Sequence, residues 1–231
     1  MDYITDKTKL LFGDCLERMK ELEKGSIDCF VTDPPYGMSF VSNRAKDGPR
    51  HQKISNDETP FTDWIKPAYD LLKDGGGVIS FCDWNTSHVW REAFEDAGFT
   101  IKNQLIWDRL HHGTGDLKGS FAPQHDVIWY ATKGRRIFAN GRGTTVFAHK
   151  RPSPSEDHGH PTCKPVKLMK ELIYGIDDGS DGIIVDPFLG SGSTGKAAQE
   201  LGRKFIGIEL DENYFNISKN RLNEGIDYDF I

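Results

Sequence analysis

Three short apolar runs in this 231-residue chain each end on an acidic side chain, and this pattern restricts the fold more than any other feature. Ile27-Asp28-Cys29-Phe30-Val31-Thr32 ends on Asp33, Ile183-Ile184-Val185 on Asp186, and Phe205-Ile206-Gly207-Ile208 on Glu209. Their β-branched and aromatic content reads as buried strands. After Asp186 come Pro187-Phe188-Leu189 and a glycine loop, Gly190-Ser191-Gly192. A helix follows with Ala197, Ala198 and Leu201 on its apolar face, stopped by Gly202. Strand, glycine loop, helix, strand and acid form a unit of an open α/β sheet, which binds ligands beyond the carboxyl ends of its strands. Glycines let the backbone approach a ligand, and an acid about 20 residues on can bind ribose hydroxyls. The loop is not a P-loop, because Gly195-Lys196 is followed by Ala197 rather than Ser or Thr.

The first run leads into Asp33-Pro34-Pro35-Tyr36. Two prolines fix φ near −65° and remove two backbone donors. What remains is a row of acceptors, the Asp33 carboxylate and the carbonyls of Asp33 and Pro34, beside an aromatic ring. That suits a planar group bearing an amino function, such as the edge of adenine or cytosine. Taken alone, the tetrapeptide is equally a Pro-Pro turn after a strand.

Together these motifs resemble the DNA amino-methyltransferases that use S-adenosylmethionine. Asp33, Pro34, Pro35 and Tyr36 look like their catalytic motif, and Asp186 to Gly192 like their cofactor loop. His160-Pro161-Thr162-Cys163-Lys164-Pro165 resembles the segment opening their cofactor-flanking helix, with Cys163 where a polar residue such as Gln is usual. Gly13-Asp14-Cys15, after the strand Leu10–Phe12, matches the contact to the cofactor's adenine. The catalytic motif precedes the cofactor loop, as in the β class. The resemblance implies one doubly wound, mostly parallel sheet of seven strands, a circularly permuted Rossmann-like methyltransferase fold spanning residues 1–231. The cofactor-binding residues it implies are Asp14, Cys15, Thr162, Lys164, Asp186, Phe188, Gly190, Ser191, Gly192 and Glu209. Within that set Glu209 takes the ribose, Asp14 the adenine, and Thr162 and Lys164 the carboxylate. No metal is expected, since His111-His112 has no third ligand at a suitable spacing.

The net charge of −6 argues against a general nucleic-acid binder, but distribution matters more than the sum. No acid occurs from Val127 to Ser155, a stretch carrying Lys133, Arg135, Arg136, Arg142, Lys150 and Arg151. A second basic group, Arg44, Lys46, Arg50 and Lys53, follows the catalytic motif. Both are expected to touch DNA phosphates. Scattered cysteines, no signal-like start and no long apolar run fit a reducing cytoplasm and no membrane contact.

Between the motifs, strands are expected at Val78–Cys82, Thr100–Trp107 and Asp126–Tyr130. Helices are expected on the face Leu16, Met19 and Leu22, at Phe61–Lys73 (stopped by Gly75-Gly76-Gly77), after an Asn85 cap, at Pro165–Tyr174 and at Glu212–Asn223. Residues 38–60 are too long and polar for an ordinary connection and are expected to form a lid or DNA-contacting loop. Residues 109–159 are expected to form a target-recognition region, with a hairpin signal at Asn140-Gly141. The resemblance implies methyl transfer to the N6 amino group of adenine in double-stranded DNA, with the base flipped out onto Tyr36. Cytosine N4 is the alternative target, a non-catalytic DNA-binding module the second, and the enzyme is expected as a monomer or homodimer.

Overall fold

The computed structural model describes residues 2–36, 60–114, 116–153 and 163–223. In chain order its elements are β1 (Tyr3–Ile4), β2 (Thr8–Phe12), α1 (Cys15–Met19), β3 (Ile27–Thr32), α2 (Ile65–Leu71), β4 (Leu72–Cys82), α3 (Ser87–Ala97) and β5 (Thr100–Asp108). Then follow β6 (His125–Thr132), β7 (Val146–Ala148), α4 (Val166–Gly175), β8 (Ile183–Asp186), α5 (Ser193–Glu200), β9 (Lys204–Glu209) and α6 (Glu212–Asn223). The strands form one sheet in the order β1-β2-β9-β8-β3-β4-β6-β5-β7. From β2 to β4 every neighbouring pair is parallel, and β6 runs antiparallel to both β4 and β5. The seven expected strands are all present, and the short β1 and β7 extend the two edges.

Alternation along the strands explains why both faces are covered. Phe30 joins the core under α1, α2 and α3 with Met19, Trp64, Ile65 and Phe94, while its neighbours Cys29 and Val31 face the other way. There they meet Leu168, Met169 and Leu172 of α4 and Ala197 and Ala198 of α5. A strand buried on both faces carries no polar alternation, which is why β3 and β8 read as continuous apolar runs. Beyond β3 the chain turns toward β4, and beyond β8 toward β9. The adjacent ends of β3 and β8 therefore form a switch point, with Asp33 and Asp186 at its mouth.

Several local expectations give way to the structure. Helix α2 ends at Leu71, and β4 begins at Leu72 and runs through the three glycines rather than after them. The register with β3 slips there, from Ile27↔Leu72 to Cys29↔Gly77, and Gly75 has φ +81°. A Cβ on Gly76 would lie 2.8 Å from the Lys73 carbonyl, so the glycines make a bulge rather than a stop. Thr86, not Asn85, precedes α3; the Asn85 N–H is taken by Asp83 Oδ1 at 2.9 Å. Gly141 does turn at φ +77°, but no hairpin results, because β7 pairs in parallel with β5 instead of returning along β6. No helix among the described residues is long and apolar enough to cross a membrane.

The end of the sheet away from Asp33 is closed by charge. Asp28, 1% exposed within β3, is met by Lys73 Nζ at 2.7 Å, Arg136 Nη2 at 2.9 Å and Arg203 Nη2 at 3.6 Å. Asp178 and Asp177 share these cations from the loop after α4. Burial works against the Arg136 cation, yet its hydrogen bond to Asp28 and the nearby negative charges, Asp28 and Asp178 among them, together outweigh this and hold its pKa above the usual value.

Candidate active site

Asp33 lies immediately beyond β3, and both its oxygens have partners within the chain. The Tyr36 hydroxyl donates to Oδ1 and the Lys164 ammonium to Oδ2. Burial, with Asp33 alongside, holds the Tyr36 phenol well above the usual tyrosine range. The Pro35 carbonyl accepts from the Phe61 N–H at 3.3 Å, which ties the turn to the segment entering α2. Phe61 in turn stands edge-on to Phe188, with centroids 5.9 Å apart.

Asp186 is a buried organiser rather than an open ligand group. It accepts from Thr32 Oγ1 at 2.7 Å and from the Phe188 N–H at 3.1 Å, so it ties the end of β3 to the loop after β8. Burial pushes its carboxyl up to about 6, against the opposing hydrogen bonds from Thr194 and Thr32. The glycine loop then turns through Gly190 at φ +52° and Gly192 at φ +80°, and a Cβ on Gly192 would meet Ser218 Cβ at 3.0 Å. Both conditions favour glycine.

Glu209 ends β9 with its carboxylate held by two backbone donors, the Gly190 N–H at 2.7 Å and the Asp211 N–H at 2.9 Å. Burial raises its carboxyl above the usual range, and those two N–H groups oppose the rise. Strand β2 runs beside β9 with Phe12 opposite Glu209, and the Gly13 N–H reaches the Glu209 carbonyl at 2.8 Å. This brings Asp14 to the same rim. Its Oδ1 caps α1, accepting from Leu16 N–H at 2.9 Å and Glu17 N–H at 3.2 Å. Cys15 beside it is buried, and its thiol is pushed up to about 12 by that burial and by Asp14.

The sequence reading missed the group that braces the glycine loop from below. Arg221 of α6 is 8% exposed and donates from Nη1 to the Ser191 carbonyl at 2.9 Å and to Ser193 Oγ at 3.2 Å. Cys163 Sγ joins them, 3.2 Å from Ser191 Oγ and 3.3 Å from Ser193 Oγ. An arginine in a polar-looking terminal helix offers no sequence sign that it points inward. Asp126 was also missed: it pairs at 2.9 Å with Arg109, whose guanidinium also holds the Pro123 and Gln124 carbonyls at the base of the β5–β6 loop.

The basic stretch does not act as one surface. Antiparallel β6 carries the chain away from the Asp33 end, so Lys133, Arg135 and Arg136 emerge at the opposite end of the sheet. Arg136 is engaged by Asp28, its side chain 1% exposed, and Lys133 donates to the Tyr69 and Leu72 carbonyls at 3.1 and 2.7 Å. These two are corrected from DNA contacts to structural cations. Arg135 is exposed but at the wrong end, and Arg142 is exposed in the loop before β7. Lys150 and Arg151 follow β7, whose end lies level with Asp108 on the active-site side. Thr162, Arg44, Lys46, Arg50, Lys53 and nearly all of the expected lid lie outside the described residues.

A carboxylate before a Pro-Pro turn, a glycine loop and an anchored acid therefore lie at the same end of neighbouring strands. The family model described as DNA methylase, for N6 and N4 methyltransferases, matches residues 27–220. The chain belongs to the DNA methylase family. This DNA methylase is 32% identical to the putative methylase YubD of Escherichia coli over 93% of its own length and 90% of the relative's. It is 26% identical to the type II methyltransferase M.HpaI of Haemophilus parainfluenzae, over 93% of the chain and 74% of the relative. Among solved structures, the M1.HpyAVI–SAM complex superposes with a TM-score of 0.72 at 24% identity, covering 93% of this chain and 100% of that one. The cytosine-N4-specific PvuII DNA methyltransferase gives 0.76 at 18% identity, over 99% and 90% of the two chains. These likenesses carry the fold, an α/β methyltransferase sheet, mostly parallel.

Proposed function

We propose that this DNA methylase transfers a methyl group from S-adenosylmethionine to the N6 amino group of adenine in DNA. The observation that carries the reading is Asp33, a carboxylate at the switch point, at the same end of the sheet as the glycine loop and Glu209. The family resemblance links Asp at this position to adenine and Ser to cytosine. The cofactor supplies an already activated methyl sulfonium, so the protein's work is alignment. An exocyclic amino nitrogen is a weak nucleophile because its lone pair is delocalised into the ring. Asp33 and the Pro34 carbonyl accept its two hydrogens and localise that lone pair, while Tyr36 stacks on a base taken out of the duplex. The donor set fits the cofactor: Glu209 is held by backbone N–H groups with lone pairs to spare for ribose hydroxyls, and the glycine loop leaves room for the amino-acid arm. Cytosine N4 is the second reading, favoured by the fold match to the PvuII enzyme. Expression in a methylation-deficient host followed by mass analysis of nucleosides decides between them. N6-methyladenine supports the first reading, N4-methylcytosine the second, and neither refutes both. Sequencing the methylated positions maps the recognition site.

Two further results are expected. Glu209→Ala should weaken binding of S-adenosylhomocysteine by about 1–3 kcal/mol, the scale of hydrogen bonds to a charged group. Calorimetry checks it, and unchanged affinity would remove Glu209 from the ribose. For DNA, the basic residues on the active-site side are the candidates. Replacing Lys150 and Arg151 together with Ala should lower the salt slope of binding by about 0.9 for each phosphate left without its cation. Arg135→Ala, at the far end of the sheet, should leave the slope as it is. Anisotropy measured across a salt series separates the two, and equal slopes in all variants would reject this surface.

A further inference from the structure

Adjacent residues reach the glycine loop and the catalytic turn. Cys163 touches the glycine loop through Ser191 and the start of α5 through Ser193. Lys164, the next residue, places its ammonium on Asp33 Oδ2. The ammonium also lies 4.8 Å from the Phe81 ring centroid and 5.9 Å from that of Tyr36. Lys164 therefore sits between the cofactor loop and the surface on which the base would stack, and it is only 9% exposed.

This contact conflicts with catalysis in two ways. An ammonium is an N–H donor, as is the amino group of the substrate base, and both require the same acceptor. With Tyr36 on Oδ1 and Lys164 on Oδ2, an incoming amino group meets a carboxylate already in use. Methyl transfer also moves positive charge from sulfur to the target nitrogen, and a cation fixed at Asp33 opposes that shift. A cation this buried does not leave its partner without another anion to receive it. Asp186 is a poor candidate, since Thr32 and the Phe188 N–H already hold it.

We propose that Lys164 is a positioning residue shared between Asp33 and the carboxylate of the cofactor. Without cofactor, Lys164 holds Asp33 and occupies the base's acceptor. With cofactor bound, Lys164 turns to the cofactor carboxylate and releases Asp33 to the base. Base capture thus depends on the amino-acid arm of the cofactor and not on its nucleoside. The inference rests on the S-adenosylmethionine reading above.

Two ligands test it by calorimetry: S-adenosylhomocysteine, which has the carboxylate, and methylthioadenosine, which has the same nucleoside without the amino-acid arm. Asp33→Asn should bind S-adenosylhomocysteine about fivefold or more tightly than the wild type, the lower end of typical coupling between sites. Its affinity for methylthioadenosine should not change. Lys164→Met should bind S-adenosylhomocysteine more weakly, and adding Asp33→Asn to it should bring no gain; Lys164→Arg should restore part of the gain. Lys164→Gln replaces the Met variant if that one does not fold. Duplexes with 2-aminopurine at the mapped target should brighten with the wild type only in the presence of S-adenosylhomocysteine, and with Lys164→Met in its absence as well. Equal affinity of Asp33→Asn and wild type for S-adenosylhomocysteine overturns the sharing. So does a gain that persists in the double variant, which would be simple repulsion by Asp33. If neither ligand binds the wild type, the cofactor reading fails and takes this inference with it.

Discussion

Asp33→Ala should reduce methyl transfer by roughly 10²- to 10³-fold or more, the cost of removing one preorganised electrostatic partner from a reacting centre. The substitution removes the acceptor that localises the lone pair of the target amino group, and neither Tyr36 nor Lys164 can replace it, because both are donors here. The fold should persist. Asp33 lies beyond the last residue of β3 and belongs to neither core cluster. Initial rates of labelled methyl transfer, beside a thermal melt of the same preparation, separate lost chemistry from lost structure. Asp33→Asn keeps an acceptor oxygen and should retain more activity than Asp33→Ala. A rate near that of the wild type in Asp33→Ala would falsify the central role given to this carboxylate.

The sheet and the active-site rim were legible because each rests on a local signal. Buried parallel strands have to be apolar throughout, so β3, β8 and β9 stood out in the sequence together with the acids at their ends. The glycine loop stood out because positive φ at Gly190 and Gly192 excludes most other residues. Asp14 was readable as a cofactor contact; the structure adds that its Oδ1 caps α1, and the cap orients it on the rim near Glu209. What was not legible depends on chain direction and pairing. Arg135 and Arg136 are identical neighbours in sequence, yet one is exposed and the other nearly sealed beneath β4. Their separation from the active site follows from β6 running antiparallel, which no residue in the stretch announces. Lys164 was assigned to the cofactor from its motif, but its contact with Asp33 needs the fold that carries α4's entry across to β3. The three glycines before Val78 read as a stop because a bulge and a break have the same composition.

Asp28→Ala should destabilise the protein more than Asp33→Ala or Glu209→Ala, by about 3–5 kcal/mol, the range for breaking a buried ion pair by removing one partner. An acid inside the apolar run Ile27–Thr32 is costly to bury and persists there only because cations surround it. Arg136, with 1% of its side chain exposed, and Arg203, with 10%, would each lose a carboxylate they cannot replace with water, and Lys73 would keep Asp178 and the Ser180 hydroxyl. The group joins the starts of β3, β4 and β9 to the segment after β6, so its loss would loosen the sheet from the end opposite the active site. Domains of this kind are stable by only about 5–15 kcal/mol, and the variant should approach unfolding at 37 °C. Asp28→Asn keeps the shape and one acceptor oxygen and should fall between wild type and Ala. Urea midpoints measured at constant slope give the ranking. The pair Asp28→Ala with Arg136→Met should recover part of the loss, since it removes the stranded cation and leaves apolar volume in its place. If Asp28→Ala melts within experimental error of the wild type, the cluster is not what closes this end of the sheet.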